Sequence, residues 1–115
     1  MENWNQDIID FVEEFKILLM NRSNLVLGIL EISKGGISGT VTDARVIFQA
    51  AIKGNASGII CAHNHPSGNL NPSESDTRLT QKIREAGNLM DIQLLDHLII
   101  TTDDNYNSFA DNGLI

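Results

Sequence analysis

Gly58-Ile59-Ile60-Cys61-Ala62 is a short apolar run that passes directly into His63-Asn64-His65-Pro66-Ser67-Gly68. Its length and lack of polar alternation predict a buried strand over 57–62, whose end delivers two histidines. Upstream, Asp43 is placed to cap a helix carrying Val46, Ile47, Ala50, Ala51 and Ile52 on one face, and Gly54-Asn55 stops it. Downstream, Pro72-Ser73 opens another helix, with Leu79, Ile83, Ala86 and Leu89 or Met90 as its apolar stripe and Gly87 weakening its last turn. A buried strand set between two amphipathic helices predicts the α/β class.

The flanking segments fit the same plan. Ile8, Ile9, Phe11, Val12 and Phe15 fall at helical spacing, so a short helix is expected over 7–15. Phe15 to Met20 then reads as a buried strand, Asn21-Arg22-Ser23-Asn24 as a polar turn, and Leu25 to Ile32 as the hairpin partner. Lys34-Gly35-Gly36 with Ser38-Gly39 read as a loop. Ile92 to Leu95 and Leu98 to Thr101 read as strand interrupted by the polar pair Asp96-His97, and Tyr106 to Ile115 as a short mixed tail. The expected architecture is a three-layer α-β-α sandwich whose central sheet is mixed, because it begins with a hairpin.

Composition narrows the function classes. With 115 residues the chain has room for one compact domain, and 1–115 is read as a single one. A hydrophobic content of 42% with 20% charged residues excludes wholesale disorder. The net charge of −7 leaves no diffuse basic field, so strong autonomous binding to nucleic acid or to anionic lipid is not expected. Cys61 is the one cysteine, which excludes an intrachain disulfide framework. No apolar run approaches the roughly 20 residues of a membrane helix. Met1-Glu2-Asn3-Trp4 lacks the basic and apolar regions of a signal peptide, so the cytoplasm is the default compartment.

The chemistry resides in the histidines. His63 and His65 are two residues apart, a spacing that turns both imidazoles to one side of an extended segment. Asp76 follows in the first turn of the helix begun at Ser73, within reach of the same point if the loop folds back. Two imidazoles and one carboxylate leave a tetrahedral zinc ion with an open position, the pattern of catalytic rather than structural sites. Cys61, on the same strand face as His63, is a less natural ligand. Ser73-x-x-Asp76 also reads as a capping box, and the two roles of Asp76 hold together only in part, since a carboxylate turned to a metal is turned from the backbone. Ser73 can cap through one lone pair and still donate its proton to a substrate oxygen. Asp96-His97 reads first as a hydrogen-bonded structural pair, and second as a group supporting or replacing a ligand.

His-x-His, seven residues, then Ser-x-x-Asp resembles the motif of the JAMM (MPN+) metalloproteases. Asn64, where deubiquitinating members usually have Ser or Thr, is similar to the RadC branch, named for DNA repair. So are Gly35-Gly36-Ile37, Asp96-His97-Leu98-Ile99-Ile100 and Ser108-Phe109, and the likeness runs from about residue 12 to the C-terminus. The resemblance implies a cytidine-deaminase-like three-layer fold, one zinc ion per chain on His63, His65 and Asp76, and Ser73 polarising an oxyanion. It also implies an upstream glutamate as general base. In similar proteins that base stands two residues before an aromatic or aliphatic position at the start of the first strand, which here is Glu13 before Phe15. Glu14 ranks second and Glu31 third, the latter equally readable as an outward hairpin residue; Glu2 lies too near the terminus.

The implied activity is amide hydrolysis by a zinc metallopeptidase or isopeptidase, with a protein or peptide substrate. One rival is a zinc hydrolase acting on a nucleic acid or a cytidine-like amidine, although the His-x-Glu and Pro-Cys-x-x-Cys signature of zinc deaminases is absent. Another is a non-catalytic module that binds metal for stability, or contacts a partner in DNA repair or replication. Related full-length proteins carry a helix-hairpin-helix DNA-binding segment ahead of this domain, and this chain begins too late to include one. An exposed edge strand would suit a second copy of the chain or a bound peptide strand.

Overall fold

The structure, a computed structural model, describes residues 13–34, 42–101 and 105–115. In chain order it contains β1 (Glu14–Met20), β2 (Val26–Lys34), α1 (Ala44–Lys53), β3 (Gly58–Asn64), α2 (Glu74–Met90), β4 (Gln93–Ile100) and β5 (Tyr106–Ser108). The strands form one mixed sheet in the order β2-β1-β3-β4-β5. Only β3 and β4 are parallel, joined by the α2 crossover; β1 is antiparallel to both its neighbours and β5 to β4. The hairpin turn is held by Asn21, whose Oδ1 accepts from the backbone N–H of Ser23 at 2.9 Å and of Leu25 at 3.0 Å. Asn24 completes it at a φ of 60°, a left-handed conformation that asparagine tolerates.

Alternation along β1 and β3 sends Phe15, Ile17, Leu19, Ile59 and Cys61 to one face, where both described helices pack. From α1 the buried residues are Ala44, Ile47, Phe48 and Ala51, and from α2 Ile83 joins them. Burying each such isoleucine or phenylalanine contributes roughly 1.5–3 kcal/mol. The opposite face holds a smaller cluster of Ala62, Leu98 and Ile100. The expected helix over 7–15 lies outside the described residues except at its end, and there Glu14 and Phe15 are strand. The glycine-rich loop likewise lies outside them, save that Lys34 ends β2.

Three readings are corrected by packing. The buried stripe of α1 is 44, 47, 48 and 51, a cleaner helical repeat than the one read from sequence, and it leaves Val46 and Ile52 at 42% and 58% exposed. In α2 the stripe ends on Gly87 rather than Leu89 or Met90; Leu89 is 88% exposed. A Cβ on Gly87 would stand 2.2 Å from the Ile92 carbonyl oxygen, so the missing side chain is what lets the chain return under the helix. The helix continues past it and ends on Asp91 in the left-handed conformation.

The third correction is β4, one continuous strand through Asp96-His97. Its register against β3 slips by one residue between Ile59 and Ile60, so that Leu94 faces Ile59 while Asp96, not Leu95, faces Ile60. This bulge exchanges the two faces beyond it. His97 therefore joins the core side opposite Cys61, and Asp96 turns away.

Candidate metal centre

The site forms where β3 ends, β1 begins and α2 starts. His63 is buried on β3, its ring stacked on that of Phe15, its partner on β1, with centroids 5.8 Å apart. Asn64 ends the strand and reaches across to β1, where its Oδ1 accepts the Glu14 backbone N–H at 2.7 Å. That bond fixes the segment bearing Glu13 beside the histidines. His65 follows in a turn closed by Gly68 N–H to the His65 carbonyl at 3.0 Å, with Gly68 at a φ of 80°. Its Nδ1 donates to the Asn69 carbonyl at 2.7 Å.

Asp76 arrives from the first turn of α2, the helix capped by Ser73. Ser73 Oγ accepts the Asp76 backbone N–H at 3.0 Å, and Asp76 Oδ2 accepts the Ser73 backbone N–H at 2.8 Å, a complete capping box. The same carboxylate faces both imidazoles, with Oδ1 3.2 Å from His63 Nε2 and Oδ2 3.0 Å from His65 Nε2. Capping and facing the centre are thus fully compatible, beyond the expectation that the two roles hold together only in part. Each oxygen has more than one lone pair, and the first helical turn points the carboxylate along both directions at once.

Glu13, His63, His65 and Asp76 each offer a ligand atom, and these atoms lie within 4.8 Å of one another. The donor set fits a cation. An acceptor carbonyl holds the proton of His65 on Nδ1, which leaves its Nε2 a lone pair, and that atom sits 2.9 Å from His63 Nε2 with carboxylate oxygens on either side. So much converging electron density needs a positive charge between the groups. In the metal-free protein a proton partly serves, since the bond to Asp76 raises the His65 pKa against the opposing effect of burial. Burial pushes the Asp76 carboxyl up, but the nearness of the His63 and His65 imidazoles outweighs it and holds it well below the usual carboxylate range. Partial burial raises the Glu13 carboxyl, against the attraction of both imidazoles.

Of the residues singled out from sequence, Glu13, His63, His65 and Asp76 are brought together, with Ser73 beside Asp76. Glu14 is buried and paired with Lys16 at 3.6 Å, Glu31 is exposed on the edge strand β2, and Cys61 lies in the core, its thiol pushed up to about 12 by burial. Asp96 and His97 are not a side-chain pair. Asp96 accepts from Ser108 Oγ at 2.6 Å and from the backbone N–H of His97 and Ala110, pinning the chain after β5. His97 instead meets His63 Nδ1 at 2.8 Å and Thr80 Oγ1 at 2.5 Å, between the rings of Phe15 and Phe109. Burial pushes its pKa down to about 3.

A family model described as RadC-like JAB domain matches residues 2–114. The chain belongs to the RadC-like JAB domain family. Among its relatives, a UPF0758 protein of Flavobacterium johnsoniae is 49% identical over 89% of this chain and 44% of its own length. A UPF0758 protein of Porphyromonas gingivalis is 48% identical over 90% of this chain and 45% of its own. One of Clostridium beijerinckii is 40% identical over 100% of this chain and 47% of its own. The chain therefore spans about half the length of these relatives. The mixed sheet with its helices is an α/β fold of JAB type, and no helix among the described residues is long and apolar enough to cross a membrane.

Thr80 is the site residue that sequence reasoning did not place, whereas His97 takes the second of its two readings, a group that supports a ligand. Thr80 carries no motif. His97 gave one signal, a histidine inside an apolar strand, and only the bulge in β4 turns it toward the centre.

A cleft of about 280 Å³ opens beside the RadC-like centre, lined by Glu13, Phe15, Thr42, Ser75, Asp76, Arg78 and Leu79. A larger cavity of about 710 Å³ lies at the other end of the sheet, among Asn21, Arg22, Gly58, Asn88 and Gln93. It contains none of the clustered ligand groups, so the smaller cleft is the one that bears on chemistry.

Proposed function

We propose that this RadC-like JAB domain is a zinc-dependent hydrolase that cleaves an amide bond in a peptide or protein. The observation that carries the reading is the convergence of two imidazoles, a carboxylate held by a helix cap and a second, half-buried carboxylate within 4.8 Å. Hard and borderline donors in this number, with no thiolate, suit zinc at a site that keeps a position open.

His63, His65 and Asp76 would hold the ion, which when bound supplies Lewis acidity to the scissile carbonyl and to water. Glu13 takes a proton from the attacking water and returns it to the leaving amine. Its raised pKa suits that exchange, because a base that must also act as an acid works best when its pKa approaches the ambient pH. Ser73 uses one lone pair for its cap, and its hydroxyl proton donates to the carbonyl oxygen as negative charge develops there. Phe15 and Leu79 give the cleft apolar walls for an extended peptide, and Arg78 stands at its rim. The charge of −7 works against nucleic acid as the substrate.

The test replaces Glu13 by Gln. Zinc content should be unchanged and turnover of a cleavable peptide should fall about 100-fold or more. Undiminished turnover with zinc in place would remove Glu13 from the reaction.

A further inference from the structure

The hydrogen bonds behind His63 form a chain with a fixed direction. It ends on the backbone carbonyl of Asp76, 2.7 Å from Thr80 Oγ1. A carbonyl only accepts, so the threonine proton points to it, and Thr80 must receive a proton from its other neighbour, His97 Nδ1 at 2.5 Å. His97 is 0% exposed between two phenylalanine rings, with no carboxylate at either ring nitrogen, so the ring is neutral. With Nδ1 protonated, its Nε2 is a lone pair. The contact of 2.8 Å with His63 Nδ1 is then donated by His63. The remaining nitrogen of His63, Nε2, carries no proton and faces His65 and Asp76.

We propose that His97 and Thr80 are positioning residues that lock His63 in its Nδ1–H form and present a bare Nε2 to the centre. Neither belongs to the clustered ligand groups that would hold an ion. The chain begins on one ligand, His63, and closes on the backbone of another, Asp76, so it also ties β3 and β4 to the first turns of α2. His65 reaches the same state by a shorter route, its Nδ1 donating to the Asn69 carbonyl. Free histidine in water favours the opposite form, with the proton on Nε2, which blocks the ligand atom. Holding the proton on Nδ1 removes that cost before metal arrives.

The proposal deepens the metal reading and rests on it only for the affinity it would change; the tautomer itself is read without metal. Long-range ¹H–¹⁵N spectra of metal-free protein at about pH 8, above the ordinary histidine pKa, report which nitrogen of His63 bears the proton. Wild type is expected to show Nδ1–H. His97→Leu should move the proton to Nε2, while His97→Gln, whose amide oxygen can accept from His63, should keep it on Nδ1. If His97→Leu fails to fold, Thr80→Val against Thr80→Ser makes the same comparison from the other end of the chain.

Zinc affinity, measured by chelator competition, should drop about 10–100-fold in His97→Leu and Thr80→Val and stay near wild type in His97→Gln and Thr80→Ser. Nε2–H on His63 of the wild type would overturn the proposal, as would affinities in both loss variants within about twofold of wild type. A wild type with Nδ1–H but no zinc binding would instead sustain the lock and overturn the metal reading.

Discussion

Asp76 accepts the backbone N–H of Ser73 at 2.8 Å through the same Oδ2 that stands 3.0 Å from His65 Nε2. One carboxylate oxygen thus completes a helix cap and builds the centre. The cap fixes the carboxylate's orientation without help from a metal, because the backbone of Ser73 and the first turn of α2 are rigid parts of the fold. The geometry of the ligand set is consequently a property of the helix start, and the two residues can be separated by mutation.

Ser73→Ala removes the hydroxyl but keeps the backbone N–H that holds Asp76. Urea denaturation should show a loss of about 1 kcal/mol, the usual value of an N-cap. Zinc affinity should change little, while peptide turnover should fall about 100-fold through the lost oxyanion donor. Loss of zinc with the hydroxyl would show that Ser73 acts on the metal and not on the substrate.

Gly87→Ala sets two effects against each other. Alanine is the better helix former by about 1 kcal/mol, but its Cβ would stand 2.2 Å from the Ile92 carbonyl oxygen. Backbone at that distance cannot give way cheaply, so a net destabilisation of about 1–3 kcal/mol is expected from thermal or urea unfolding. A stabilised variant would mean that the turn into β4 yields without strain.

The contrast at Gly87 illustrates what was legible in the sequence. The hairpin, both capped helices and the strand leading to His63 announce themselves locally, through turn residues at Asn21 to Asn24, caps at Asp43 and Ser73, and the apolar run before the histidines. The cluster of His63, His65 and Asp76 is legible in motif spacing, while Glu13 comes only from the family resemblance, which ranks it ahead of Glu14 and Glu31. What stayed hidden depends on contacts between distant segments. Gly87 reads as a weak helix position until Ile92 is seen beneath it. Asp96-His97 reads as a break because strict alternation places Asp96 with Leu94; the extra residue in the bulge exchanges the two. The two roles of Asp76 are both legible in Ser73-x-x-Asp76, but their full compatibility depends on how the first turn of α2 aims the carboxylate.

The pH dependence of the metal-free protein should have two limbs. His97 is pushed down to about 3 from 6.5, so between those values the unfolded chain binds more protons and stability rises with pH. The Asp76 carboxyl, held low, adds a loss at the acid end as its native interactions are protonated away. His65 has the opposite sign: its raised pKa gives stability that is fully present below 6.5 and is lost as pH rises through the folded value. Urea midpoints should therefore peak near neutrality. His97→Gln should flatten the acid limb, Asp76→Asn should remove the loss at its acid end and flatten the alkaline limb, and zinc should abolish the alkaline limb by replacing the proton on His65. An acid limb unchanged in His97→Gln would place that titration elsewhere.

The most direct measurement is metal content by elemental analysis, on protein purified without a histidine tag and compared with His65→Ala and Asp76→Asn. About one zinc ion per chain is expected in the wild type, with none retained by either variant although both keep the native circular dichroism spectrum. Wild-type protein that takes up no zinc, even when it is supplied, would contradict the hydrolase reading and leave a RadC-like fold that keeps the ligand geometry without the metal.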